Sequence, residues 1–414
     1  MKGYLFSFML IGLSMLACAE LNEDLHRAAR DGNLNKVKKL VAKGAKIKAK
    51  NQFGWTVLHT AVRAEKPDIV KYLLTTDFNI NTKDKNGRTA LHDAALGGNP
   101  DIVKILIHKG ASVHTKDLIG RSVIHTAAIG GNLDIVKLLI NKGAEIKAKT
   151  DHGTTVLHFA ARFGSLAIVK VLINKGAEVQ AKDKDDGTVL QGAVRGGNLE
   201  IVKLLINKGA EVNAKDRIGN YALRTAVRGG SLDIVKLLIN RGAKVNSKYR
   251  DDGWSVLHYA ADSGNLVIVK HLINKGAKVK AKDKDGLTVL HSAARGGNLE
   301  VVKLLIGQGL DVHTKTKDNE SVLHSAARGG NLDIVKLLIG QGDIQGKDKG
   351  GWTVLHTAAG MQNRDIVKYL IVKGADVNAR ISSGINKGKT PLDMAGQGDT
   401  RKLLMEHGGK SGKN

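Results

Sequence analysis

The sequence predicts an all-α fold, a solenoid of helix-turn-helix units with projecting β-hairpin loops. Three observations predict it: one short motif recurs at a fixed spacing, each copy carries two stretches of helical apolar periodicity, and cap residues and glycines punctuate every copy at the same places. Aligning on His26 gives anchors at His59, His92, His125, His158, Gln191, Arg224, His258, His291, His324, His356 and Asp393. The spacing is 33 residues, except for 34 before His258, 32 before His356 and 37 before Asp393. A period of that length marks stacked units, none of which buries its apolar face alone. Twelve units then occupy residues 20–409 and leave no room for another domain.

Residues 1–19 precede the array. Met1 and Lys2 open a positive end, Leu5 to Ala17 is apolar apart from small residues, and Ala17-Cys18-Ala19 offers the small residues of a cleavage site. This pattern reads as a secretory signal peptide, because roughly 13 apolar residues are too few for a comfortable membrane span. Cleavage after Ala19 would release a soluble chain. Alternatively, Met15-Leu16-Ala17-Cys18 resembles a bacterial lipobox, which would make Cys18 a lipidated N-terminus. Cys18 is the one cysteine of the chain, so a disulfide framework is excluded.

Within the array, the unit around His125 shows how each element arises. Ser122-Val-Ile-His-Thr-Ala-Ala starts a first helix, and Gly130-Gly131 breaks it. Asn132 caps a second helix whose apolar face is Leu133, Ile135, Val136, Leu138, Leu139 and Ile140. Gly143 stands where a helix ends in the left-handed region. The charged stretch from Lys147 to Gly153 is a projecting hairpin. Other units repeat these signals: Asn or Ser lies seven residues past ten of the first eleven anchors, the exception being Lys66 before Pro67. Pro67 and Pro100 take the first helical position, where a missing N–H does no harm. Asp or Glu sits two residues past the cap position in eight units, favoured by the helix dipole. Alanine two residues past each anchor, from Ala28 to Ala358, lets neighbouring helices approach closely.

Departures should mark softer joints. Gln191 and Arg224 replace the anchor histidine, and Asp186 and Asn319 replace the turn glycine. A residue is lost at Asp343-Ile344, and the loop from Ile381 to Lys389 has gained four. Residues 410–414 read as a disordered tail.

The repeated Thr-Val-Leu-His-x-Ala-Ala-x-x-Gly-Asn-Leu-Asp-Ile-Val-Lys-Leu-Leu-Ile-x-x-Gly-Ala-x-Val resembles the ankyrin repeat over almost the whole array. The family prefers proline before the Leu-His pair. Here that position is Val or Ala until Thr390-Pro391-Leu392, which should loosen control of where the first helix starts. The resemblance implies that anchor histidines hydrogen-bond within their own repeat, and that partners bind in a concave groove bordered by the first helices and hairpin tips.

Catalytic and metal chemistry find no constellation. Successive anchors lie about 10 Å apart, one helix-packing distance, too far to share a metal ion. Arg-Gly-Gly-Asn before a helix, as at Arg295 to Asn298, lacks the Lys-Ser/Thr ending of a nucleotide loop. No nucleophile-base set stands out, so the expectation is a non-enzyme with no cofactor and no small-molecule substrate.

Charge and aromatics carry the remaining information. With 65 Lys+Arg against 39 Asp+Glu, the net charge is +26, which points to acidic partners. A lysine twelve residues past each anchor, from Lys38 to Lys368, follows the acidic column by three residues and should be paired on the helix surface. A second column, about nine residues before each anchor, includes Lys149, Lys182, Lys215, Lys248 and Lys282, with Asp often following it to neutralise part of the stripe. A third, four residues past the anchor, includes Arg162, Arg195, Arg228, Arg295 and Arg328. By the resemblance, these two basic stripes border the groove. Trp55, Trp254 and Trp352 lie four residues before an anchor, Phe159 and Tyr259 just after one, and Phe163 four further on. They are candidate partner contacts, with hairpin packing as the alternative for the tryptophans. The expected function is an exported, monomeric scaffold for an acidic protein, with polyanion binding (nucleic acid, glycan or anionic lipid) as the alternative.

Overall fold

A computed structural model describes residues 19–249, 253–340 and 342–412. All but the last residue of the expected signal peptide, with Cys18, therefore lies outside the described residues. No described helix is long and apolar enough to cross a membrane. The chain folds as two bodies, one up to Glu211 and one from Val212.

In the N-terminal body a helix over 19–31 precedes the first helices Val57–Arg63, Ala90–Gly97, Val123–Gly130, Val156–Phe163 and Val189–Gly196, each packed on the next. The second helices form their own layer, from Leu34–Ala42 to Leu199–Asn207. The C-terminal body repeats the plan, with first helices from Ala222–Arg228 to Pro391–Met394 and second helices from Leu232–Asn240 to Asp399–Glu406. Hairpins project between successive repeats and pair through single antiparallel bridges, such as Lys149 with Thr155 and Lys282 with Thr288.

The apolar periodicity sets the core. In the repeat around His125, Ile135, Val136 and Leu139 of the second helix and Val123, Ile124, Ala127 and Ala128 of the first are fully buried. Each large side chain so buried contributes roughly 1.5–3 kcal/mol. Asn132 caps its helix as expected, its Oδ1 accepting from the N–H groups of Asp134 and Ile135 at 3.0 and 3.2 Å. Ser165, Ser231 and Asn363 hold the cap position without capping through the side chain. Asn363 instead donates to the carbonyl of Ala327 at 2.8 Å.

First-helix starts are tightly held despite the absent proline. The backbone N–H of Thr155 donates to Nδ1 of His158 at 3.2 Å, and the Thr155 hydroxyl lies 2.8 Å from the same nitrogen. Because Nδ1 accepts, the proton sits on Nε2, which donates to the carbonyl of Gly187 in the next repeat at 3.1 Å. His59, His92, His258, His291, His324 and His356 make the same two-ended link. These seven anchors thus bond within their own repeat, as the resemblance implied, and also tie it to the next.

Gln191 takes the place of the imidazole acceptor, its Oε1 accepting from the Thr188 N–H at 3.1 Å. Arg224 cannot, since a guanidinium has no acceptor. It donates to Asn220 Oδ1 at 3.2 Å and lies over the rings of Tyr249 and Tyr259, 3.9 and 4.4 Å from their centroids.

Gly130-Gly131 is not a double break. Gly131, at φ 77°, ends the first helix, whereas Gly130 is its last helical residue. A Cβ on Gly130 would stand 2.6 Å from the carbonyl oxygens of Ala95 and Leu96 in the preceding repeat. Asp186 and Asn319 do adopt the turn glycine's left-handed backbone, at φ 60° and 65°. Of the expected tail, residues 410–412 are described: Lys410 N–H donates to Asn378 Oδ1 at 2.8 Å, and Gly412 N–H to Asp393 Oδ2 at 2.6 Å.

Candidate partner-binding face

The arginines four residues past the anchors end the first helices, and the structure divides them into two sets. Arg63 is paired with the buried Asp93 at 2.8 Å, Arg295 with Asp262 at 2.9 Å, and Arg328 with Glu320 at 2.6 Å. Arg162, Arg195 and Arg228 are exposed and have no acidic partner among the described residues. Burial pushes Asp93 up to about 6, against the opposing pull of Arg63.

Lys149, Lys182, Lys215, Lys248 and Lys282 are all exposed at the hairpin stems. Some lysines of this column link repeats: Lys248 Nζ donates to the carbonyl of Lys282 at 3.1 Å, as Lys50 does to Lys83 and Lys83 to Lys116. Lys215 lies over the Tyr221 ring at 5.2 Å. The aspartates that follow this column serve the hairpin turn. Asp283 Oδ1 accepts from the N–H groups of Asp285 and Leu287 at 2.9 and 2.7 Å, and Asp183 does likewise with Asp185 and Gly187. Such Asx turns mimic a backbone turn. By contrast, the second-helix lysines are paired as expected in Lys71–Asp68, Lys104–Asp101, Lys203–Glu200, Lys303–Glu300 and Lys336–Asp333.

The tryptophans are half-buried and held within the array. Trp254 donates from Nε1 to Asp283 Oδ2 of the next hairpin at 2.9 Å, packs on Tyr259 at 4.9 Å between centroids, and lies under Arg295 at 4.9 Å. Trp55 sits on Phe53 and under the Arg63 guanidinium, and Trp352 beside His356. Phe159 is half-buried with its edge to His125, and Phe163 is 52% exposed, its ring nearly parallel to Phe159 at 6.5 Å.

A cavity of about 340 Å³ opens in the C-terminal body between Trp352, Arg328, Glu320, Met361 and Met394. It lies beside Gly360, which stands where seven other repeats carry arginine, so the missing side chain leaves the space open. No group of three or more His, Cys, Asp or Glu among the described residues is placed to hold a metal ion.

One column of links went unnoticed in the sequence. Side-chain amides after the second helix bridge to the following repeat: Asn213 Nδ2 donates to Gly242 O at 2.8 Å while its Oδ1 accepts from Lys244 N–H at 3.0 Å. Asn246, Gln345 and Asn378 make equivalent bonds. Where the amide is replaced, ion pairs such as Lys48–Asp77 and Lys147–Glu178 span the same joint. The available signal was an Asn or Gln 22 residues past several anchors.

A family model of ankyrin repeats (3 copies) matches residues 25–117, 112–183, 181–249, 246–316, 290–381 and 323–414. The chain belongs to the ankyrin-repeat family. No curated protein matches it. Ankyrin repeats indicate a protein-interaction scaffold, and the family is typically non-catalytic. The histidine links and hairpins above are therefore the framework of an ankyrin array, and its exposed first-helix ends are the candidate binding face.

Proposed function

We propose that this ankyrin array is an exported, non-catalytic, monomeric scaffold that captures an acidic protein partner on the face carried by its first helices and hairpins. One observation carries the reading. Eight of the eleven second-helix lysines have an acidic neighbour three residues away, as in Lys104–Asp101, Lys203–Glu200 and Lys303–Glu300, whereas Arg162, Arg195 and Arg228 project with no acidic partner among the described residues. An unpaired guanidinium on an exposed helix end suits carboxylates, which it binds bidentately. Export rests on the pattern of residues 1–19, and a lipid-anchored form would use Cys18.

The test is capture by the chain from residue 20 onward at two salt concentrations, with cross-linking to identify what is held. Salt-tolerant capture of one protein, slowed by charge reversal at Arg195 and Arg228, is the expected result. A steep loss of affinity with salt for unrelated polyanions would instead establish the polyanion reading. Export is tested by mass spectrometry of the mature N-terminus: Glu20 indicates a soluble product, and lipidated Cys18 an anchored one.

A further inference from the structure

The N-terminal body brings two unpaired arginines and two phenylalanines together on adjacent first helices. We propose that Val156–Phe163 and Val189–Gly196 form a subsite for an acidic protein segment carrying one apolar side chain between its carboxylates. The inference rests on the scaffold reading and names the class of partner it takes.

Phe159 and Phe163 lie four residues apart on one helix, so they share a face, and Phe163 is 52% exposed. Arg162 lies 5.9 Å from the Phe163 ring and has no acidic partner among the described residues. Gly192, on the neighbouring helix, is the one glycine at the position following an anchor, where other repeats carry Thr, Asp, Phe, Tyr, Ser, Arg or Met. A Cβ there would meet only the His158 carbonyl at 3.5 Å and the Arg162 Cβ at 4.0 Å, so glycine leaves open space beside the stem of Arg162. Gly196 abuts the Arg162 carbonyl. That close approach sets Arg195 and Arg162 about one helix spacing apart, roughly 8–10 Å. An extended peptide advances about 3.3–3.6 Å per residue, so carboxylates about three residues apart match the two guanidiniums. The apolar side chain between them uses the open space beside Arg162 and packs on the exposed Phe163 ring. Charge selects an acidic segment; the exposed ring distinguishes it from a bare polyanion.

The test uses the full chain and three fluorescein-labelled probes of equal charge, read by anisotropy. The first is an acidic 12-residue peptide with a central Leu, the second has Ser in its place, and the third is oligo(dT). The Leu peptide should bind about tenfold tighter than the Ser peptide, a difference that F163A abolishes. Both peptides should lose about tenfold or more in R162E/R195E, with helicity by circular dichroism unchanged because these side chains are exposed. Equal binding of the two peptides, Leu selectivity that survives F163A, or oligo(dT) binding tighter than both overturns the subsite. If a captured protein is still held by F163A and R162E/R195E, the subsite fails while the scaffold reading stands. If no protein is captured at all, the scaffold reading itself fails.

Discussion

At the scale of single residues, the anchor histidines make the fold sensitive to acid. Nδ1 of His92 accepts from the Thr89 N–H while Nε2 reaches the carbonyl of Arg121, an arrangement only the neutral ring supports. Burial pushes His92, His125 and His356 down to about 4, from an ordinary imidazole value of about 6.5. A histidine depressed in the folded state binds fewer protons there than when unfolded, so its contribution is intact above about pH 6.5 and is lost as pH falls toward 4. At pH 5 the loss is on the order of 2 kcal/mol for each of the three. Asp93, raised to about 6 by burial, acts oppositely and regains about 1 kcal/mol over the same range. The histidines prevail, and the thermal transition should fall steeply between about pH 6.5 and 5. A flat profile there would show the rings protonating without breaking their links.

Among elements, the joint between first helices is the sensitive one. Gly130→Ala places a methyl against the carbonyls of Ala95 and Leu96 and should cost about 1–3 kcal/mol. Gly143, at φ 86° with open space around it, should lose only about 1 kcal/mol when changed to Ala. Denaturant titration of both variants compares them, and equal losses would show the helices relaxing apart. The two glycines also show what could be read in advance. Period, apolar faces and caps specified every helix pair, because these are local signals repeated in each copy. Whether Gly130 breaks its helix or packs it depends on a carbonyl 34 or 35 residues away, and no local pattern records that distance. The same limit applies to the candidate face. Its arginine column was legible, but the division into Arg63, Arg295 and Arg328, which are paired, and Arg162, Arg195 and Arg228, which are not, depends on acids such as Asp93 and Glu320 reached through space. The role of the hairpin aspartates was likewise hidden, since counting charge does not reveal a carboxylate committed to backbone N–H groups.

For the molecule as a whole, stability accumulates from repeats that bond chiefly to their neighbours, so damage should remain local. Leu139→Ala removes a fully buried side chain and should cost about 2–5 kcal/mol. Because coupling passes only to adjoining repeats, the melting transition should broaden or split. A sharp transition displaced as one would show cooperativity across the chain. The net charge of +26 acquires an address on the same scale. The second-helix lysines offset their acidic neighbours, while the exposed hairpin lysines and unpaired arginines supply the excess felt by an approaching partner.

The links between repeats share one property: donor and acceptor columns recur with the same period. His158 finds a carbonyl 29 residues onward, as His59 and His92 do, and the amides that follow the second helices find theirs 29 or 30 residues onward. Excising or duplicating one whole period therefore rejoins each broken bond to an equivalent partner. Unequal recombination within the coding sequence can lengthen or shorten such an array without leaving an unmatched seam. The segment around Arg224 and Tyr249, where the columns lapse, would fail to heal in this way, as would the shortened unit at Asp343-Ile344 and the lengthened loop from Ile381 to Lys389.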